Sequence, residues 1–219
     1  MTTNLAESLT MNITVELSRR DFPTYCEFVH GRPLYAHQKA WGDALQEPNA
    51  RTLIVAPPGT LKSTTLSYFI EWCIGRDHDD TTLHLMNTAT QAMRQVMAIA
   101  DTIEHNPRYK LVFPDVIPDK ARGWSHDTLF VKRSDTNNPY ATVYGTGIDG
   151  PYQGVHVKRI IVDDPTDQQD VRSQVTMEQQ RERVRGVMID RLNPGGSIFG
   201  ILTPVPYRRT IPLGKTLVP

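Results

Sequence analysis

The apolar run TLIVA, Thr52 to Ala56, passes directly into the turn PPGTLK and then into the helix-prone stretch STTLSYFIEWCIG. A continuous β-branched run of this length is what a strand buried on both faces requires. Strand, tight turn and helix in direct succession form the first half of a β-α-β unit, so the next strand is expected to run parallel to the first. The plan then repeats. TTLHLMN, Thr81 to Asn87, reads as a second strand, and Thr88 with Gln91 forms a capping-box signal. Ala92, Val96, Ile99 and Ile103 carry a helical face up to Pro107.

The rest of the chain fits the same class. LYAHQKAWGDAL, Leu34 to Leu45, spaces Leu34, His37, Trp41 and Leu45 as a helical stripe ahead of the first strand. After a proline-broken connection from Pro107 to Lys120, LFVKR and ATVYG read as short strands, and RIIVDD, Arg159 to Asp164, as a buried strand ending in two acids. Thr176 and Gln179 cap an expected helix through Asp190, and SIFGILT, Ser197 to Thr203, is a last buried strand. This alternation predicts an α/β fold, a mostly parallel central sheet with helices on both faces. The first 30 residues are expected to form a helical or partly loose arm, and the proline-rich end PVPYRRTIPLGKTLVP a linker or the start of a further region.

Between the first strand and its helix lies A-P-P-G-T-L-K-S, Ala56 to Ser63. In the pattern G-x-x-x-x-G-K-[ST], backbone N–H groups of such a turn surround phosphates at a helix N-terminus and the lysine reaches the β and γ positions. Lys62 and Ser63 match and Gly59 gives the loop freedom, but Ala56 and Leu61 stand at the two glycine positions. A branched side chain at positive φ costs on the order of 1 kcal/mol, so Leu61 is the position under most strain. The nucleotide-binding stretch expected here is Ala56, Pro57, Pro58, Gly59, Thr60, Leu61, Lys62, Ser63 and Thr64. The plain alternative is a proline-glycine turn that joins strand to helix.

Asp163 closes the RIIVDD strand, where it is suited to hold Mg²⁺ opposite Ser63, and Asp164 comes next as the group to orient and deprotonate an attacking water. A solvated strand end before the Asp164-Pro165 turn is the competing account. Asp164 is one methylene shorter than a glutamate in that role, so weak activity in isolation is expected. Thr203, ending the last strand, is placed to hydrogen-bond the catalytic centre and couple it to the downstream chain. Upstream, Tyr35 is suited to stack on adenine and Gln38 to read it through its amide, unless Gln38 is an ordinary surface glutamine.

Charge names no partner, because 24 Lys and Arg balance 24 Asp and Glu; contact with nucleic acid would need a local patch or an assembled ring. Cys26 and Cys73 are far apart and lack metal-ligand spacing, which fits a reducing compartment. No run approaches the roughly 18 apolar residues of a membrane span, and the polar start is unlike a signal peptide. A cytoplasmic protein without a membrane partner is expected.

Taken in order, these segments resemble the ATPase domain of the large terminase subunit of tailed bacteriophages. The similarity runs from about Pro33 to Tyr207: LYAHQKAW on the adenine side, VAPPGTLKST as a terminase-type Walker A, NTATQAMRQVMAIADTIEHNPRYKLVFPD after it, YGTGIDGPYQGVHVKRIIVDDPTD as a glycine-rich approach to a D-D-P Walker B, and GILTP as a coupling motif. The resemblance implies a P-loop NTPase of RecA-like (ASCE) fold that uses ATP and Mg²⁺ to drive double-stranded DNA into a procapsid. The implied partners are viral DNA, the portal protein, the small terminase subunit and further copies of the chain, in a ring of about five. It would work in the cytoplasm of the infected bacterium, transiently docked on the procapsid.

Residues 1–32 are then the arm, 33–207 the ATPase domain and 208–219 a linker. The family's nuclease half does not fit in the 16 residues after Thr203, so an isolated motor domain without nuclease activity is expected. Two departures stand out: Pro58 replaces a basic residue four before the lysine, and Val155 comes after Gly154 where the family often has arginine. An arginine supplied to a neighbouring subunit therefore cannot be assigned by position; Arg122, Arg133 and Arg159 are candidates, each with an ordinary surface or salt-bridge role as the competing account. A fragment of a superfamily 2 helicase, and a nucleotide-binding or ring-forming module that does not hydrolyse, remain the competing readings.

Overall fold

The computed structural model describes residues 2–152, 154–165, 182, 186 and 191–204. Its element order is α1 (Thr2–Arg20), α2 (Phe22–His30), α3 (Ala36–Gln46), β1 (Arg51–Val55), α4 (Lys62–Arg76), β2 (Thr82–Met86), α5 (Ala89–His105), α6 (Pro107–Val112), β3 (Thr128–Leu129), β4 (Val143–Gly147), β5 (Val157–Asp163) and β6 (Leu192–Leu202). The six strands form one sheet in the order β1-β6-β5-β2-β4-β3. Every pairing is parallel except β3 with β4, so the chain is α/β with a mostly parallel sheet flanked by helices.

The sheet separates two apolar clusters, and strand alternation decides which side chains enter each. Ile161, Phe199 and Ile201 point into the larger one with α2, α4, α5 and α6. Leu83, Leu85, Ile160, Val162 and Ile198 point into the smaller one, against Ile148, Tyr152, Val155 and Leu192. All described helices that reach a core enter the larger cluster. The helix expected over 176–190 lies outside the described residues.

Helix α4 carries the sheet-facing load. Leu66, Phe69, Ile70, Trp72 and Ile74 are all buried, because α4 lies between the sheet on one side and α1 and α2 on the other. Glycines let α5 come close to β4: a Cβ on Gly145 would strike Val96, and one on Gly147 would lie 2.8 Å from the Ala89 nitrogen. Thr88 caps α5 as the sequence predicts, its Oγ1 accepting from the Gln91 N–H at 3.3 Å.

The N-terminal region is more ordered into the core than expected. In α2, Phe22, Tyr25, Cys26 and Val29 are buried in the main cluster, Asp21 caps its start and Gly31, at φ 64°, ends it. The buried Glu71 of α4 accepts from the Tyr25 hydroxyl at 2.9 Å and sits 2.8 Å from His30 Nε2, tying α2 to α4. The indole of Trp72 donates to the Ser18 carbonyl at 2.9 Å and fixes the end of α1. Cys26 and Cys73 are free and buried, and burial pushes the Cys73 thiol up to about 12. No described helix is long and apolar enough to cross a membrane.

Candidate nucleotide and metal site

β1, β6 and β5 are adjacent and parallel, so Val55, Leu202 and Asp163 end side by side at one edge of the sheet. Ligands of open α/β sheets bind in the crevice beyond such carboxyl ends. The 56–61 loop, the paired acids and Thr203 all emerge there.

The loop turns through two positive φ values. Gly59 has φ 79°, which glycine adopts without penalty, and Leu61 has φ 60° and ψ 33°, the left-handed conformation that a leucine adopts only under strain. The strain expected at Leu61 is therefore present. It lets α4 begin at Lys62, so the N–H groups of its first turn, Lys62 to Thr64, have no partner within the helix. Thr60 closes the turn by donating its hydroxyl to the Pro57 carbonyl at 2.8 Å.

Lys62 is buried. Its Nζ donates to the Ala56 and Pro57 carbonyls, each at 3.2 Å, and lies 3.5 Å from Asp164 Oδ2. Asp164 stands at φ 41°, off the extended path of β5, and this break lets two adjacent acids face one site although strand neighbours normally point to opposite faces. Its carboxylate accepts from both the N–H and the hydroxyl of Thr203, the latter at 2.7 Å. Lys62, Asp164 and Thr203, placed by three different strand ends, thus form one connected group.

Asp163 lies beneath them at 0% exposure, and neither carboxylate oxygen has a hydrogen-bond partner among the described residues. Burial raises its carboxyl to about 6, opposed by the Ser63 hydroxyl nearby and by Lys62, and reinforced by Asp164. An orphaned buried carboxylate is expensive unless a cation completes it. Among the described residues no three His, Cys, Asp or Glu side chains form a metal cage. One carboxylate with a hydroxyl nevertheless fits Mg²⁺, which takes few protein oxygens and keeps water and phosphate oxygens as its other ligands.

This arrangement predicts a stability effect with a defined sign. The folded Asp163 binds its proton more tightly than the unfolded one, whose ordinary value is 3.8, so its contribution is full below about pH 4 and lost as pH rises through about 6. Without divalent cation at pH 7.5, Asp163→Asn is expected to be more stable than the parent by about 3 kcal/mol, with the gap closing toward pH 4. Denaturant titrations at both pH values measure this, and a variant less stable at pH 7.5 contradicts it.

A cavity of about 290 Å³ opens beside the loop, between Arg32, Tyr35 and Gln38 on one side and Leu61, Thr64 and Tyr68 on the other. Tyr35 is 65% exposed, and its ring lies nearly parallel to that of His37 with centroids 5.8 Å apart. Gln38 is buried, and both ends of its amide are engaged: the nitrogen donates to Thr65 Oγ1 at 2.8 Å and the oxygen accepts from the Tyr35 N–H at 3.0 Å. It is not a surface glutamine; it joins the cavity wall to α4. Cavities of about 350 and 530 Å³ lie beside Arg19 and Arg76 and beside Asp101 and His105, and neither is lined by the paired acids.

The three arginines considered for a neighbouring subunit sit toward the amino ends of the strands, away from the loop. Arg159 is paired with the buried Asp80 at 2.8 Å, which commits it within its own subunit. Arg133 donates to the Tyr140 carbonyl and Thr142 hydroxyl, and Arg122, the more exposed, to the Asn138 carbonyl. Arg122 is the most exposed of the three, and its hydrogen bond is to a backbone carbonyl and not to a buried carboxylate.

Sequence reasoning did not single out Tyr68, Arg32 or His84. Tyr68 lies one helical turn beyond Thr64, so the i, i+4 rule would have placed it on the same wall. His84 was visible as the one imidazole inside a buried apolar strand, TTLHLMN.

Neither a comparison with protein-family models nor one with curated proteins finds a match to this chain.

Proposed function

We propose that this chain is the ATPase motor domain of a tailed-phage large terminase, a RecA-like P-loop NTPase that couples ATP hydrolysis to translocation of double-stranded DNA into a procapsid. The observation that supports it is the convergence of Lys62, Asp163, Asp164 and Thr203 at the ends of β1, β5 and β6. In this reading the N–H groups of the first turn of α4 and Lys62 take the phosphates, and Tyr35 and Tyr68 flank the base. Ser63 and Asp163 hold Mg²⁺, which neutralises charge on the phosphate oxygens. Asp164 orients and deprotonates the attacking water, and Thr203, bonded to it, carries its displacement to the end of β6. The portal, the small terminase subunit and a homo-oligomeric ring are the partners this function needs, in the infected cell's cytoplasm and on the procapsid.

A nucleotide-binding module that does not hydrolyse is the second reading. It is favoured by the strained Leu61 and by the attachment of Lys62 to its own loop's carbonyls.

DNA dependence separates the two. A neutral chain offers few cations per subunit, so binding to double-stranded DNA is expected to be weak, each phosphate contact adding about 0.9 to the log–log salt slope. ATP turnover should rise when DNA is added at low salt. Tight, salt-independent DNA binding, or nucleotide binding with no turnover in either condition, contradicts the motor reading.

A further inference from the structure

His84 is fully buried in β2, on the sheet face that carries Asp163 in the neighbouring strand. The register sets Met86 opposite Asp163, so His84 lies one same-face step deeper, with Nε2 3.9 Å from Asp163 Oδ2. Neither ring nitrogen has a hydrogen-bond partner, and neither does either Asp163 oxygen. Both ring nitrogens are without any partner and the Asp163 carboxylate has only the nearby Ser63 hydroxyl to turn to, which is rare in a packed interior and requires a ligand or a second arrangement that satisfies these atoms. The separation is too long for a hydrogen bond and too short for a water to bridge, so only a shift of about 1 Å by the carboxylate or ring closes the pair.

We propose that His84 is the positioning residue for the metal-holding carboxylate: its Nε2–H donates to one oxygen of Asp163 when the other oxygen is drawn onto Mg²⁺ beside Ser63. The inference rests on the reading of Asp163 as a Mg²⁺ ligand. An imidazole carries a proton on at least one ring nitrogen in either protonation state, and with both nitrogens unpartnered that proton is free to donate. A carboxylate held from behind by a fixed donor keeps one orientation toward the cation, and outer partners of this kind typically contribute 10- to 100-fold to metal affinity. Asp163 then has two neighbours with separate tasks, the Ser63 hydroxyl on the solvent side and the His84 ring on the interior side.

The test compares the parent with His84→Leu and His84→Gln. For each, the affinity for ADP is measured across a Mg²⁺ titration, Mn²⁺ binding is followed by electron paramagnetic resonance, and metal-free stability is measured by denaturant. Expected are a 10- to 100-fold higher Mg²⁺ requirement in His84→Leu, ADP affinity without metal unchanged, partial recovery in His84→Gln, and metal-free stability of His84→Leu equal to or above the parent, since an orphaned polar ring has been removed. A structural role would instead lower stability and leave the Mg²⁺ requirement alone, which overturns the proposal. So does failure of both variants to fold. If His84→Leu keeps the parent's Mg²⁺ requirement, His84 is not the positioning residue, while Asp163 remains the ligand. If the parent itself binds ADP without any dependence on Mg²⁺, the reading of Asp163 falls, and this proposal with it.

Discussion

Asp164→Asn should leave MgATP affinity near that of the parent and lower turnover by about 10² to 10⁴, the range for losing a general base. The substitution keeps the side chain's shape and its position at φ 41°, where asparagine is as well tolerated as aspartate. It removes the charge that Lys62 faces at 3.5 Å and one of the acceptors used by Thr203. Equilibrium nucleotide binding and steady-state hydrolysis on the same preparation separate the two effects. If the variant hydrolyses ATP as fast as the parent, another acid positions the water, and Glu178, which lies outside the described residues, is the first to test.

Lys62→Ala should damage both quantities. A charge-assisted hydrogen bond to phosphate is worth about 1.5–3 kcal/mol, so ATP affinity is expected to fall roughly 10- to 150-fold. Turnover should fall further, because charge on the transferred phosphoryl group and its leaving oxygen needs the ammonium more than the ground state does. Loss of Lys62 also frees the Ala56 and Pro57 carbonyls, which it now bridges, so part of the effect is a looser loop. Calorimetric titration with a slowly hydrolysed ATP analogue measures the first effect, and phosphate release the second.

The elements legible in the sequence are those in which one physical signal dominates. The apolar centres of β2, β5 and β6 are buried as their composition predicts, and α5 has a clean stripe with its cap at Thr88; β1 is a strand as expected but not one buried on both faces, because it lies at the edge of the sheet and leaves Leu53 and Val55 exposed. The N-terminal arm is where local pattern misleads. Phe22, Tyr25, Cys26 and Val29 do keep helical spacing, with Asp21 before them and Gly31 after, but the span is short and its burial depends on Trp72 and Glu71, far along the chain. Pro107 reads as a break, yet it occupies the first turn of α6, where its missing N–H would have been unpaired anyway. β6 begins at Leu192, earlier than expected, because Pro194, Gly195 and Gly196 look like a loop in sequence while the strand passes an irregularity opposite Val157 and Arg159.

At the site, residue type and order were enough to join Lys62, Asp164 and Thr203, since each lies just beyond a parallel strand end at the same edge. Spacing could not reveal how each is held. That Gln38 has both ends of its amide engaged depends on a helix packed 27 residues away in sequence. The orphaned state of Asp163 and His84 depends on strand register, which no local pattern encodes.

MgATP turnover by the parent chain, measured beside Lys62→Ala with and without double-stranded DNA at low salt, tests the nucleotide site most directly. Saturable, Mg²⁺-dependent hydrolysis that DNA accelerates and that Lys62→Ala abolishes is the predicted result. A parent chain that binds no ATP, or a Lys62→Ala variant that hydrolyses it at the parent's rate, contradicts the assignment of this strand edge as a nucleotide site.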